Sequence, residues 1–295
     1  MAPPAFTERA AYPTAFDAWV RNVPGMVWFA DRLRALEAPE RHDVLHWYLP
    51  AEQHAFEIVA TNLTFVFVYM FAMYLERKNR AHRPRPRMRS YRQTAADYLL
   101  AAVLSFCLVM QVVYKLRRGH MQWTYLIMPC HLMSAAYVYV LVTPNRKAAA
   151  HIINVVLYMS YFTILALLFP DTSQLTQLYE LEVFWLQHYA MVYVPFHFLL
   201  TTDLPLYDDY ASFFYATAYG GFGFYVLQTP LALYSGVNVN YQLWPPPKQP
   251  LHGRVYKQQT AIVLVLLGWI VGRVLTPGVR LALTFVRPPT WSSRS

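Results

Sequence analysis

Apolar stretches of spanning length alternate with short polar breaks along most of the chain. Runs near 53–75, 94–116, 121–142, 148–169, 179–200 and 210–235 each reach the roughly 20 residues that cross a bilayer as a helix. A seventh segment begins near Thr260 and is interrupted by Arg273 and Pro277-Gly278. The pattern predicts an all-α integral membrane protein, a bundle of about seven transmembrane helices. Residues 53–286 form that domain, and 287–295 make a C-terminal tail. In 1–52, Trp19, Trp28, Phe29 and Trp47 alternate with charges and prolines. That suits either a segment lying at the membrane surface or a partly disordered one.

Polar residues inside the apolar runs carry the candidate chemistry. His54, Glu57, Thr61 and Thr64 recur at helical spacing, so one face of the first span is polar. That face turns into the bundle, or Glu57 snorkels to water. The 121–142 run has no Asp, Glu, Lys or Arg but holds Pro129-Cys130-His131. The fifth run opens with Glu180 and Glu182 and carries Gln187-His188. Ionisable groups at membrane depth are functional candidates. Runs three and five point the same way, and Cys130 and His188 each lie about nine residues in, roughly 13 Å below one surface. Pro129 is expected to kink the third helix just before Cys130. His131 is a poor base for its neighbour, because adjacent helical residues point about 100° apart.

A thiol with an imidazole partner suits nucleophilic acyl chemistry. Other readings stay open. Cys130 is also explained as packing, and His188 as a hydrogen bond between helices. A Cys107–Cys130 disulfide and a metal site from Cys130, His131, His151 and His188 are conceivable. No compact ligand spacing supports a metal, and no cofactor is expected. Glu180 and Glu182 suit either a headgroup amine or a solvated helix start.

Only 14% of residues are charged, against about 25% in soluble domains, which reinforces the membrane reading. The net charge of +9 does not indicate nucleic acid, because eight of the 25 Lys and Arg residues lie between Arg77 and Arg92. That short loop, with Arg83-Pro84-Arg85-Pro86-Arg87, reads as extended, cytosolic and suited to anionic lipid. The N-terminus would then lie outside and the C-terminus inside. No basic region followed by an apolar core marks a signal peptide at the start of the chain.

Several ordered motifs are similar to the transmembrane protein 164 family of integral membrane acyltransferases. They are Pro129-Cys130-His131, Leu167-Leu168-Phe169-Pro170, Glu180-Leu181-Glu182 with Gln187-His188, Pro195, and Val237-Asn238-Val239-Asn240 leading to Leu243-Trp244-Pro245. The resemblance implies transfer of a polyunsaturated acyl chain from a diacyl phospholipid to a lysophospholipid, notably ether-linked lysophosphatidylethanolamine. It implies Cys130 as nucleophile and His188 as partner. His131, Glu180, Glu182, Gln187, Asn238 and Asn240 would bind substrate or support the site. Membrane phospholipids and lysophospholipids are then the partners, with autophagy factors and ferroptotic lipid oxidation by family analogy, in endoplasmic reticulum or Golgi membranes. Tyr158 and Tyr161 depart from the family pattern, and Tyr256-Lys257-Gln258-Gln259-Thr260 lacks an expected histidine. A lipid or thioester hydrolase and a lipid transporter or scramblase are the alternatives.

Overall fold

The computed structural model describes residues 14–36, 47–83, 93–119, 121–201, 207, 210–246 and 253–286. The Arg-Pro loop beyond Arg83, the acidic turn at Asp203, Asp208 and Asp209, residues 247–252 of the linker and the 287–295 tail lie outside them. Every regular element among the described residues is helical. The chain divides into two units, the first of Met1–Tyr69, Lys115–Met128 and Ala218–Leu264, the second of Met70–Tyr114, Pro129–Thr217 and Val265–Ser295.

The first unit opens with α1 (Thr14–Asn22) and α2 (Met26–Leu36), then enters α3 (Ala51–Asn79). Ala30 and Leu33 of α2 pack with Trp47, Ala51, Ala55, Leu233 and Leu243. Arg21 and Arg34 both bond the Glu52 carboxylate. The N-terminal helices are therefore docked through both apolar burial and charge, while Trp19 and Trp28 remain exposed. The expected polar face of α3 divides along its length. His54 and Glu57 are buried, and Glu57 pairs with Lys257 rather than snorkelling. Thr64 is exposed and bonds the Ala60 carbonyl of its own helix. Further along, Leu63 and Phe67 are 67% and 70% exposed, an outward apolar surface suited to lipid.

The second unit contains most of α4 (Ala95–Arg117), then α5 (Pro129–Val142), α6 (Arg146–Met159), α7 (Tyr161–Leu168) and α8 (Glu180–Thr201). Leu104, Met133, Tyr137, Val140, Ile153 and Val194 form its core. Thr94 and Asp97 cap α4 reciprocally, the Thr94 N–H to Asp97 Oδ2 at 2.7 Å and the Asp97 N–H back to Thr94 Oγ1 at 3.3 Å. His197 of α8 meets the other Asp97 oxygen at 2.6 Å, so one buried carboxylate ties two helices.

The remaining helices are α9 (Ala211–Gly221), α10 (Thr229–Ser235), α11 (Tyr256–Ile270) and α12 (Thr276–Val286). A π-helical segment, Phe222–Gln228, joins α9 to α10, and another, Val271–Leu275, joins α11 to α12. Each is followed by a Thr-Pro pair. Thr229 Oγ1 bonds the Phe224 carbonyl at 3.0 Å and Thr276 Oγ1 the Val271 carbonyl at 2.9 Å. In each case the threonine's own N–H bonds the same carbonyl, so N–H and hydroxyl converge on it just before a proline that has no N–H to give. Arg273 and Pro277-Gly278 therefore do not end the helix. In the second unit, Gly268 and Gly272 let this segment approach Tyr158, and a Cβ on Gly272 would lie 2.0 Å from the tyrosine ring.

Four stretches among the described residues are long and apolar enough to cross a membrane, against about seven expected. They are Ala51–Asn79, Ala95–Arg117, Arg146–Leu168 and Tyr256–Val279. Helix α8 has spanning length, but Gln187, His188 and His197 dilute its apolar character. The 121–142 run departs most from expectation. Gly119 and Met121 take left-handed backbone angles, a 3-10 helix covers Gln122–Ile127, and Met128 is extended. Pro129 then begins a new helix instead of kinking an old one, as its fixed φ and missing N–H favour at a first helical position.

Candidate active site around Cys130 and His188

Because α5 begins at Pro129, Cys130 occupies its first turn and not the middle of a span. The roughly nine residues from the start of the third run to Cys130 therefore do not measure depth along one helix. A polar link joins the helices of Cys130 and His188. Ser134, one turn beyond Cys130, donates its hydroxyl to the Cys130 carbonyl at 2.8 Å. Gln187 of α8 donates Nε2 to Ser134 Oγ at 2.9 Å and reaches the Cys130 carbonyl at 3.5 Å. Gln187 and Ser134 are both fully buried. The residue before His188 thus grips the turn that carries Cys130.

His188 is also buried, and its Nδ1 lies 2.8 Å from the Phe184 carbonyl of its own helix. A carbonyl only accepts, so Nδ1 carries the proton and Nε2 keeps its lone pair. The Phe184 ring packs on the imidazole, centroids 4.2 Å apart. Bond and ring together set the orientation of a neutral base. Cys130 is half-buried beside the second unit's core, whereas Cys107 is buried, and no disulfide joins the two. The N-terminal, positive end of the α5 dipole lies at Cys130.

The supporting candidates separate by role. His131 is buried in the same turn of α5. Glu180 Oε2 accepts from the N–H groups of Thr176 and Gln177 at 3.1 and 3.2 Å, closing the loop that enters α8. Glu182 is exposed. Asn238 and Asn240 belong to the first unit. Asn238 Oδ1 accepts from Leu243 and Trp244 N–H at 2.8 and 3.1 Å, which closes the loop on itself. Asn240 donates to Gln228 Oε1 at 3.1 Å, and Gln228 donates to the Ile127 carbonyl at 3.0 Å. Those asparagines hold backbone in place, including the segment that leads to Pro129. His151 lies against the Tyr215 ring, 5.1 Å between centroids. Among the described residues, no three His, Cys, Asp or Glu side chains gather as a metal site.

Sequence reasoning passed over Ser134, the Asp97–His197 pair and the Glu57–Lys257 pair. Ser134 had one signal, its place four residues after Cys130 on a helix.

A protein described as "Transmembrane protein 164 homolog" from Dictyostelium discoideum is 29% identical over 260 residues, covering 83% of this chain and 91% of the relative. No solved structure matches. The TMEM164 family model matches residues 48–273, which take in Cys130, His188 and the helices that hold them, and on that extent the chain belongs to the TMEM164 family.

Proposed function

We propose that this protein is a membrane acyltransferase that moves an acyl chain from a phospholipid to a lysophospholipid through a thioester on Cys130. The observation that carries the reading is the Gln187–Ser134–Cys130 link, one residue from a histidine whose Nε2 keeps its lone pair. In the first step His188 Nε2 takes the thiol proton and the Cys130 sulfur attacks the donor ester carbonyl. The carbon–oxygen bond then breaks, and the departing lysolipid oxygen takes the proton from His188. In the second step the acceptor hydroxyl gives its proton to His188 and attacks the thioester, the carbon–sulfur bond breaks, and the leaving sulfur takes the proton back from His188. Scarce water favours transfer over hydrolysis. Polyunsaturated chains, ether-linked lysophosphatidylethanolamine as acceptor, and endoplasmic reticulum or Golgi membranes belong to the same reading.

Purified protein given a labelled phospholipid and ether-linked lysophosphatidylethanolamine tests it. Cys130→Ala and His188→Ala should each abolish labelled product. With donor alone, intact-protein mass should show one added acyl chain, released by hydroxylamine and absent in Cys130→Ala. Free fatty acid without acylated lysolipid would make the protein a hydrolase. Lipid movement that survives Cys130→Ala, with no acyl product from the native chain, would make it a transporter.

A further inference from the structure

The first unit buries a second polar cluster, built from none of the residues assigned to acyl transfer. His54 and Glu57 of α3 and Lys257 of α11 are 0%, 2% and 3% exposed. Lys257 Nζ lies 3.3 Å from Glu57 Oε2 and 3.1 Å from His54 Nδ1. Glu57 Oε1 accepts from Gln53 and Gln258 at 2.8 and 2.9 Å. An ion pair removed from water costs stability unless its groups are well matched, so its presence calls for a role.

The geometry fixes the state of His54. An ammonium only donates, so His54 Nδ1 is the acceptor and the ring is neutral, with its proton on Nε2. Protonating Nδ1 as well would set two cations 3.1 Å apart with no water between them. Lys257 therefore holds His54 as an N–H donor and not as a titrating switch. Nε2 meets no acceptor. Nor does the indole N–H of Trp47, a residue 1% exposed whose ring stands edge-on to the imidazole at 5.4 Å. Two buried donors in one ring pair, both unmet, call for an oxygen.

Charge and position narrow the nature of that oxygen. Glu57 cancels Lys257 and His54 is neutral, so an anion would be buried without compensation. Both unmet atoms of the ring pair are donors, which favours a group with lone pairs and no protons. His54 lies on the first turn of α3, and Lys257 is the second residue of α11. Both helices belong to candidate spans. The cluster therefore sits within about 10 Å of the helix starts, where the hydrocarbon of a bilayer meets the ester layer. We propose that His54 and Trp47 bind the ester carbonyl of a membrane glycerolipid.

The test uses the full chain as Cys130→Ala, so that bound lipid is not turned over. In detergent it is titrated with a diacyl phosphatidylcholine or with the diether analogue of the same chain lengths, which lacks carbonyls. Retained lipid is counted by native mass spectrometry. The diacyl lipid should bind about tenfold more tightly, the effect of one hydrogen bond. Adding His54→Phe should erase the preference, and adding His54→Gln, which keeps an N–H, should restore most of it. Equal retention of the two lipids overturns the proposal and leaves a buried water as the occupant. A preference that persists in folded His54→Phe overturns it too. Should that variant fail to fold, Trp47→Phe makes the same comparison.

Discussion

Gln187 acts through other residues, holding Ser134 and the Cys130 carbonyl without itself meeting the reacting atoms. Gln187→Leu should therefore slow formation of the hydroxylamine-labile adduct by about tenfold or more, since a small misplacement of a nucleophile is costly. The concentration of donor lipid giving half-maximal rate should hardly change. A single-turnover rate equal to the parent's would sink the positioning role. Lys257→Met should strand the Glu57 carboxylate and cost about 3–5 kcal/mol, while adding Glu57→Gln should recover most of it. Thermal unfolding in detergent reads both, and a double variant no better than the single would refute the pairing. These residues differ in how far the chain discloses them. Gln187 and His188 stand out because a polar pair inside an apolar run is conspicuous. Lys257 does not, because it reads as part of the polar, proline-rich linker that precedes the seventh segment near Thr260. Only its meeting with Glu57, 200 positions earlier in the chain, turns it into buried charge.

Helix starts and breaks decide where these side chains can go. Apolar periodicity placed α3, α4 and α8 within a few residues of their observed ends, because each is one continuous helix. It failed between Met121 and Val142, because hydropathy does not register backbone handedness at Met121 or a 3-10 turn of equally apolar residues. Pro129 has two roles available, kink or first residue, and only the conformation of Met128 decides between them. Pro129→Ala should let helical structure creep back toward Met128 and blur the first turn. Acyl transfer should then fall several-fold while the melting temperature changes little, and full activity would show that the sharp start is dispensable. Gly272 makes the opposite kind of demand, for absence of a side chain. Gly272→Val should destabilise the second unit by about 1–3 kcal/mol through overpacking on Tyr158. Tyr158→Ala in the same chain should relieve part of that loss, and the pair of melting curves checks it. The close approach also gives a local reason for Tyr158, which stood out in the sequence as a departure from the family pattern.

At the scale of the whole molecule, a helical membrane protein of the TMEM164 family was legible from composition and ordered motifs, while the number of spanning helices was not. Helix α8 shows why. Its length suits a membrane, yet the same Gln187, His188 and His197 that make it interesting chemically make it poor hydrocarbon. Orientation rests on the basic cluster Arg77–Arg92. A glycosylation acceptor inserted after Arg87 should stay unmodified, and a glycan there would invert the topology. The two π segments have a consequence for how such a chain changes over time. In an ordinary helix, losing one residue turns everything beyond it by about 100° and sends lipid-facing groups inward. A π turn already holds one residue more than the α repeat needs, and the threonine after it closes the turn through both its N–H and its hydroxyl. Phe222–Gln228 and Val271–Leu275 are thus places where the chain can shed a residue and keep both its helix and the facing of the helix beyond. Length variation among relatives, where it falls inside apolar helices, should collect at these two points.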